Sequence, residues 1–322
     1  GEKNRSPPEN HPMNQKFALL FAGQGAQAVG MGKDLAAEFP VVANLFKEAD
    51  ELLGFGLSRT AFEGPADELT KTSVCQPALY VHGLACLAAL KEKLPQFVFQ
   101  AGAGLSLGES TAHAAAGTFD FQIGLDLVAK RSQAMQEACE NTHGSMAAII
   151  GGTEEQVREL AAAAGVDVAN LNSPGQVVLS GEASKIARAV SLAKEYGARK
   201  AVELKVAGAF HSHLMESAYL QLQKVLAETS IKSPDVPVVC NVDAQAVSEP
   251  EAIRRTLAQQ ITGSVRWTES INYLLDHLHC TQFIELGPGG VLAGLIGRIR
   301  KGTPVTSISD VASLTDALKA LS

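Results

Sequence analysis

The chain has 322 residues, of which 46% are hydrophobic and 19% are charged, and its formal net charge is -7. This length allows one large domain or two with a sizeable buried core, so we expect a globular protein. The negative charge argues against nucleic acid as the main partner, because phosphate binding requires a concentrated basic surface, and it gives no attraction to membranes. No apolar run reaches the roughly 18 residues of a membrane span, and the N-terminus lacks a signal-peptide pattern. We therefore expect a cytoplasmic protein.

The cysteines are irregularly spaced and contain no CxxC pair; they are Cys75, Cys86, Cys139, Cys240 and Cys280. An odd number at such spacing favours reduced, buried thiols over a disulfide framework or a zinc site. His277 and His279 stand beside Cys280, but nothing nearby in the sequence completes a ligand set. We therefore expect no bound metal.

The first 15 residues are polar, contain prolines and lack periodicity, so we predict a disordered leader over residues 1–15. From Lys16 onward, short β-like runs alternate with longer helical patterns, which is typical of a mostly parallel sheet covered by helices. The first strand is FALLF at 17–21, and the loop after it ends at the sheet edge where ligands gather. This loop is not a nucleotide loop, because Ala28 replaces the last glycine of GxGxxG. Its N–H groups could donate to an oxyanion, or it could be a simple tight turn.

The sequence GLSLG at 104–108 places Ser106 between the apolar stretch 97–99 and a helix-compatible run at 109–116. This pattern predicts a nucleophile elbow, in which a sharp strand-to-helix turn exposes the serine hydroxyl and glycines allow close backbone approach. The free N–H groups at the start of the following helix would face a developing oxyanion. We therefore predict Ser106 as the nucleophile, with the strand at 97–99 leading into it.

Arg131 lies in a helical run at 121–139. A helical arginine is usually a solvated surface residue. If the substrate carries a carboxylate, Arg131 could instead lie in a cleft and bind that group, because a guanidinium can hold a carboxylate by two parallel hydrogen bonds.

The interval 144–206 has a pattern of its own. In chain order it contains a predicted strand, helix, strand, strand, helix and strand, at 146–150, 153–164, 166–171, 176–180, 183–196 and 200–206. Thr153 and Gln156 offer a capping box for the first helix, and Gly197 ends the second. The order β-α-β-β-α-β is that of a ferredoxin-like unit.

After this interval the chain returns to the larger pattern, with a helix and two strands predicted at 214–229, 236–242 and 282–286, followed by a last β-α unit. We therefore predict an α/β protein of two domains. A large α/β-hydrolase-like domain with a mostly parallel sheet comprises residues 16–143 and 207–322. The small ferredoxin-like domain at 144–206 is inserted into it.

A serine nucleophile needs a base, normally a histidine, and the chain has eight histidines. His211 and His213 follow the return from the small domain to the large one, and clefts form at such junctions. Taken alone, each is more often a solvated or capping residue than a base. His113 is close to Ser106 in sequence. However, seven residues of helix at ~1.5 Å per residue place it about 10 Å away, too far to accept the serine proton.

These features in this order resemble the malonyl-CoA:acyl carrier protein transacylases of fatty acid synthesis and the related acyltransferase domains of polyketide synthases. The similarity extends from about residue 17 to the C-terminus. The matching sequences are FAGQGAQ at 21–27, QPA at 76–78, SLGE at 106–109, Arg131, NSPGQVV at 172–178, GAFHS at 208–212, VRW at 265–267 and ELGPG at 285–289. Any one of them is a weak match, but together they are specific.

The resemblance implies a ping-pong reaction. The serine would take malonyl from coenzyme A as an ester and pass it to the phosphopantetheine thiol of holo acyl carrier protein. By position, Ser106 corresponds to the nucleophile and His211 to its base, whereas His213 corresponds to no catalytic position. The backbone carbonyl of Gln260 would orient the histidine in place of an acidic third residue.

The resemblance also implies how the acyl group is bound. The backbone N–H groups of Gln24 and Leu107 would form the oxyanion hole, a contribution of about 10²–10³ in rate per donor. Arg131 would hold the malonyl carboxylate, and Gln76 and Leu105 would contribute to the substrate site with it.

Two features bear on the acyl group. Most family members have histidine where this chain has Leu105, so malonyl affinity or selectivity could differ; Ser110 and His113 also stand where aromatic and aliphatic residues are commoner. By contrast, Phe210 before His211 follows the malonyl-type pattern of the polyketide relatives. Malonyl is the acyl group that we expect.

Three alternatives remain open from the sequence. The chain could be a trans-acting polyketide synthase acyltransferase, an acyl-thioester hydrolase, or an inactive module that binds carrier protein. For the leading hypothesis the partners are malonyl-CoA and holo acyl carrier protein. No cofactor is expected beyond the coenzyme A of the substrate, and the protein is expected to be a monomer.

Overall fold

The structure is a computed structural model that describes residues 15–322. The predicted leader at 1–15 therefore lies outside the described residues, apart from Gln15. Within residues 15–322 the strands are β1 (Phe17–Phe21), β2 (Ala101–Gly104), β3 (Gly144–Ile150), β4 (Asp167–Ser173), β5 (Gln176–Glu182), β6 (Lys200–Glu203), β7 (Val238–Val239), β8 (Gln282–Leu286) and β9 (Val305–Ile308).

The α-helices of the same range are α1 (Lys33–Glu38), α2 (Pro40–Leu53), α3 (Leu57–Glu63), α4 (Ala66–Thr70), α5 (Thr72–Lys93), α6 (Gly108–Ala115), α7 (Phe121–Glu140), α8 (Glu154–Ala164), α9 (Ala183–Leu192), α10 (Glu216–Glu228), α11 (Pro250–Gln259), α12 (Trp267–Asn272), α13 (Val291–Ile299) and α14 (Val311–Leu321). Short 3-10 turns at Ala193–Tyr196, His213–Met215 and Pro288–Gly290, and a π turn at Tyr273–His277, extend or connect them.

The large sheet has five parallel strands in the order β7-β2-β1-β8-β9. Its central strand β1 is buried on both faces, because alternate side chains of a strand point to opposite sides. Leu19 and Phe21 belong to the core that includes α5, and Ala18 and Leu20 belong to the core formed with α12 and α13. The predicted parallel sheet covered by helices is confirmed.

The strand that leads into Ser106 was predicted wrongly. It is β2, with the sequence AGAG, whereas residues 97–99 form a loop in which Val98 is 66% exposed. The physical reason is the close approach of α6, since a Cβ on Gly104 would lie 1.9 Å from the backbone of Gly108. A strand under such a contact needs small residues, so the usual signal of large apolar side chains is missing.

The small sheet has four antiparallel strands in the order β4-β5-β3-β6, and α8 and α9 pack on it around a separate core. The predicted ferredoxin-like order β-α-β-β-α-β is confirmed. The capping box is present, with the Gln156 backbone N–H donating to Thr153 Oγ1 at 3.1 Å and the Thr153 N–H donating to Gln156 Oε1 at 2.9 Å. Strand β6 ends at Glu203 rather than at residue 206. We propose 144–206 as the bounds of this domain.

Helix α5 is the one described helix long and apolar enough to cross a membrane by length and composition. However, 89% of its apolar window is buried inside the protein, where it packs against α2 and α7. Its apolar composition is therefore that of a core helix, and it carries Gln76, whose side chain contacts Arg131 of α7.

Candidate active site

Ser106 occupies the sharp turn between β2 and α6 that the GxSxG pattern predicts. Its backbone φ is 56°, in the left-handed region that non-glycine residues rarely adopt. A Cβ on Gly108 would lie 2.3 Å from the carbonyl oxygen of Phe21, and Gly104 is equally crowded. Both glycines are therefore required by the close approach of β1, β2 and α6.

Asn241, two residues after β7, holds this turn in place. The Ser106 backbone N–H donates to Asn241 Oδ1 at 2.8 Å, and Asn241 Nδ2 donates to the carbonyl of Gly104 at 2.8 Å. The side-chain amide of Asn241 thus satisfies two backbone groups of the turn, which a neighbouring strand would otherwise have to bind. Asn241 was not predicted from the sequence, because nothing in its neighbourhood indicates a contact with Ser106, which lies 135 positions away.

His211 lies against the serine. Its Nε2 is 2.8 Å from Ser106 Oγ, and its Nδ1 is 2.8 Å from the carbonyl oxygen of Gln260. Because a carbonyl can only accept, Nδ1 carries the proton, and Nε2 presents a lone pair to the serine hydroxyl. His211 also has a φ of 56°, so its backbone, like that of Ser106, is held in an uncommon conformation.

The environment of His211 keeps the imidazole neutral. Burial and the positive charge of Arg131 together lower its pKa to about 4, whereas hydrogen bonds with the backbone of Gln260 and Gly263 act in the opposite direction. At neutral pH the ring can therefore accept a proton, as a general base must.

The other two histidines considered from the sequence lie elsewhere. His213 is exposed, and its Nδ1 is 2.8 Å from Asp167 Oδ2 of the small domain. His113 is fully buried in α6, and its Nδ1 is 2.8 Å from Thr118 Oγ1. Neither contacts Ser106, so the structure brings one histidine, His211, to the serine.

Arg131 is buried, in contrast to the usual solvated helical arginine, and lies beside the serine. Its Nη1 donates to Gln76 Oε1 at 2.6 Å and its Nη2 donates to Gln260 Oε1 at 2.7 Å. Nη2 is also 3.2 Å from Ser106 Oγ. Burial lowers the pKa of Arg131 to about 10, against the effect of the charge on Glu109, so the guanidinium stays cationic at neutral pH.

Each terminal nitrogen of Arg131 carries two N–H groups, and the two glutamines use one on each. The second N–H of Nη2 donates to Ser106 Oγ at 3.2 Å, and the second N–H of Nη1 has no side-chain or backbone acceptor among residues 15–322 and is left for a ligand. A carboxylate at this point would lie within a few ångströms of the serine oxygen and would meet a cation that is already fixed in place.

The two backbone N–H groups expected to bind an oxyanion flank Ser106. Leu107 precedes the first residue of α6, and Gln24 lies in the loop after β1. In that loop a Cβ on Gly23 would lie 2.4 Å from the carbonyl oxygen of Leu105, so the loop passes close to the elbow. Within residues 15–322, neither the Gln24 N–H nor the Leu107 N–H has a hydrogen-bond partner. Both donors are thus available to an oxygen placed above Ser106 Oγ.

A cleft of about 620 Å³ opens at the serine between the two domains. Gln24, Ser106, Met135 and His211 line its floor on the large-domain side, and Asn172 and Leu204 line it on the small-domain side. Leu105 forms part of an apolar wall with Val291 and Leu295. Leu105, at the position where the sequence resemblance leads to an expected histidine, therefore lines the cleft.

Glu109 and the side chain of Gln260 also belong to this site, although the sequence indicated only the backbone of Gln260. Glu109 Oε1 accepts hydrogen bonds from the Asn241 backbone N–H at 2.7 Å and from Gln260 Nε2 at 3.0 Å. An acidic residue fully buried three positions after the serine is unusual, and the SLGE sequence was the available signal.

Among the described residues, no group of three or more His, Cys, Asp or Glu side chains is arranged to hold a metal ion. His277 stacks on Tyr273, with ring centroids 4.6 Å apart, and all the cysteines are buried as free thiols.

Comparison with known proteins agrees with this geometry. The family model for the acyl transferase domain matches residues 18–313. The chain is 43% identical over 313 residues to the malonyl CoA-acyl carrier protein transacylase of Bacillus subtilis (strain 168), which covers 95% of this chain and 97% of that protein.

Solved structures show the same relationship. An acyl carrier protein S-malonyltransferase from Vibrio cholerae O1 biovar eltor matches with a TM-score of 0.90 at 40% identity, over 94% of this chain and 100% of that one. A malonyl-transacylase in complex with its type II PKS acyl-carrier protein matches with a TM-score of 0.90 at 39% identity, over 95% and 100%. The resemblance inferred from sequence motifs is thereby confirmed: the chain is an acyltransferase and belongs to the malonyl CoA-acyl carrier protein transacylase family.

Proposed function

We propose that this protein transfers malonyl from malonyl-CoA to the phosphopantetheine thiol of acyl carrier protein through an ester on Ser106. One observation carries the proposal: a buried, fixed guanidinium lies 3.2 Å from a serine hydroxyl that itself contacts a neutral histidine. A serine and a histidine suffice for acyl transfer, and the guanidinium adds selection for an acyl group that ends in a carboxylate.

In the first half-reaction His211 Nε2 takes the proton of Ser106 as Oγ attacks the thioester carbonyl. The negative charge that develops on the carbonyl oxygen is stabilised by the N–H groups of Gln24 and Leu107. Collapse of the tetrahedral intermediate breaks the C–S bond, and the leaving thiolate of coenzyme A takes the proton from His211.

The second half-reaction reverses these roles. The carrier thiol gives its proton to His211, and the resulting thiolate attacks the ester carbonyl. Collapse then breaks the C–O bond, and Ser106 regains its proton from His211. The Gln260 carbonyl keeps Nδ1–H oriented throughout, so the proton is exchanged only at Nε2, and a serine–histidine dyad performs both steps.

Replacing Arg131 by alanine should reduce malonyl transfer far more than acetyl transfer, because acetyl has no carboxylate to bind. We expect kcat/KM for malonyl-CoA to fall by about 10²-fold, the loss typical of a buried charge-assisted contact. The measurement is the rate of serine acylation with each thioester. An equal loss of kcat/KM for both substrates would show that Arg131 does not bind the malonyl carboxylate.

The activity of the enzyme should decline only at an unusually low pH on the acid side of its pH profile. Because the base must be unprotonated and the pKa of His211 is about 4, kcat/KM should stay level as pH falls from 7 to about 5 and decline only below that. In Arg131→Ala, the loss of one positive charge should move this decline to higher pH. An acid limb near pH 6.5 in the unmodified enzyme would contradict the assignment of His211.

The acceptor distinguishes transfer from hydrolysis. Enzyme preloaded with malonyl should keep its ester in buffer and lose it when holo acyl carrier protein is added. The apo carrier, which lacks the thiol, is the matched control and should leave the ester intact. If the malonyl ester were lost as fast in buffer alone as with the holo carrier, the protein would be a thioester hydrolase.

The same assay bears on the pathway. We propose service to fatty acid synthesis, with a carrier protein of polyketide synthesis as the second candidate, since one structural relative is held in such a complex. Rates with each type of carrier decide between them. Cytoplasmic location, a monomeric state and independence from cofactors remain predictions.

A further inference from the structure

Glu109 lies directly beneath the nucleophile elbow, in the first turn of α6, and is fully buried. Its Oε1 accepts the two hydrogen bonds from Asn241 and Gln260, whereas its Oε2 has no partner among the described residues. The transfer steps do not require this carboxyl group. Its burial therefore calls for another role, because an acidic side chain is costly to bury.

The contacts of Gln260 show what Glu109 can control. Gln260 Nε2 donates to three acceptors on one side: Glu109 Oε1 at 3.0 Å, the Ser106 carbonyl at 3.0 Å and Asn241 Oδ1 at 3.2 Å. On the other side Gln260 Oε1 accepts from Arg131 Nη2 at 2.7 Å. With the amide reversed, its NH₂ group would face the guanidinium and its oxygen would face three acceptors, so all four contacts would be lost.

Glu109 differs from the other two acceptors because its carboxyl group is ionisable, and its Oε1 can accept from the Gln260 amide whether or not Oε2 carries a proton. Its Oε1 also holds the backbone of Asn241, the residue that braces the Ser106 turn. The carboxyl group of Glu109 thus binds the Gln260 amide directly, and it also holds Asn241, whose Oδ1 is a second acceptor for that amide. The Oε1 atom of Gln260 in turn accepts from Nη2 of Arg131 and so helps to orient the guanidinium, whose Nη1 donates to Gln76.

We propose that Glu109 is a positioning residue for the acyl carboxylate: it sets the direction of the Gln260 amide, and Gln260 in turn holds Arg131 at the angle that a malonyl carboxylate requires. The inference rests on the function proposed above, since it takes a carboxylate-terminated acyl group as the ligand of Arg131. It assigns Glu109 to substrate selection rather than to proton transfer.

The acceptor atom, not the charge, is the essential feature. Burial raises the pKa of Glu109 to about 7, and the charge of Asp243 acts in the same direction, whereas the hydrogen bonds from Asn241 and Gln260 and the charge of Arg131 act against it. Cys240 is the remaining titratable neighbour. Since Oε2 is unpartnered, it can carry a proton while Oε1 keeps both contacts. Glutamine at position 109 should therefore preserve the arrangement.

The test is the ratio of malonyl to acetyl acylation rates on Ser106, measured by intact-protein mass. In Glu109→Leu this ratio should fall by about tenfold or more, the loss expected when a hydrogen bond to a charged group is misplaced. In Glu109→Gln the ratio should stay within about threefold of the unmodified enzyme. Thr111→Val is the matched control, because Thr111 is buried on the same helix and its hydroxyl has no partner in residues 15–322. It should leave the ratio unchanged.

Gln260→Met keeps the test decisive if Glu109→Leu folds poorly, and a double variant tests whether Glu109 acts through Arg131. Gln260→Met retains the backbone carbonyl that orients His211 but removes the amide, so it should lower the ratio as Glu109→Leu does. In an Arg131→Ala background, Glu109→Leu should lower the ratio no further, because the two residues act on one contact.

Equal loss of malonyl and acetyl acylation in Glu109→Leu, or additive losses in the double variant, would overturn the positioning role. So would a Glu109→Gln ratio as low as that of Glu109→Leu. These outcomes are distinct from failure of the proposed function, in which the unmodified enzyme itself would form no malonyl ester.

Discussion

Ser106→Ala should reduce malonyl transfer by about 10⁴-fold or more, to the level left by substrate binding and the oxyanion donors. The hydroxyl oxygen is the atom that forms the ester, and within the described part of the chain the serine is the one hydroxyl in contact with His211. The measurement is thiol release from malonyl-CoA in the presence of holo acyl carrier protein.

The same variant provides its own control for folding. At a φ of 56°, alanine is no more strained than the serine it replaces, because both residues carry a Cβ. The backbone N–H of residue 106 can still donate to Asn241. The melting temperature should therefore stay close to that of the unmodified protein. Full transfer activity in a folded Ser106→Ala protein would disprove the assigned nucleophile.

His211→Ala should slow acylation of Ser106 by about 10³-fold, within the range for loss of a general base. Without the imidazole, the serine proton has no acceptor at 2.8 Å, and the adjacent Arg131 can only donate. The observable is the rate of malonyl ester formation after rapid mixing.

His213→Ala is the matched comparison, two residues along the same segment. Its exposed contact with Asp167 lies on the surface between the domains, so we expect a change of at most about threefold. If His213→Ala were the slow variant and His211→Ala the mild one, the identity of the base would be wrong.

The features predicted well from sequence are those specified by local residues. The elbow needs Gly104 and Gly108 next to Ser106, and the helices of the small domain are marked by a capping box and by Gly197, which lie within a few residues of their effect. Such signals do not depend on distant partners.

The errors and omissions involve contacts between distant segments. The AGAG strand β2 lacks the large apolar residues of a strand because α6 packs against it, so the neighbouring loop at 97–99 had the stronger signal. Helical periodicity could not place Arg131 in the interior, because its partners Gln76 and Gln260 lie 55 and 129 residues away.

Acylation of Ser106 can be tested by mixing the protein briefly with malonyl-CoA, measuring its intact mass, and locating the adduct by peptide mapping. We expect one malonyl group on the peptide that carries Ser106, and we expect it to move to the carrier when holo acyl carrier protein is added. Absence of an adduct, or a malonyl group that stays when the holo carrier is present, would contradict the proposed transfer through Ser106.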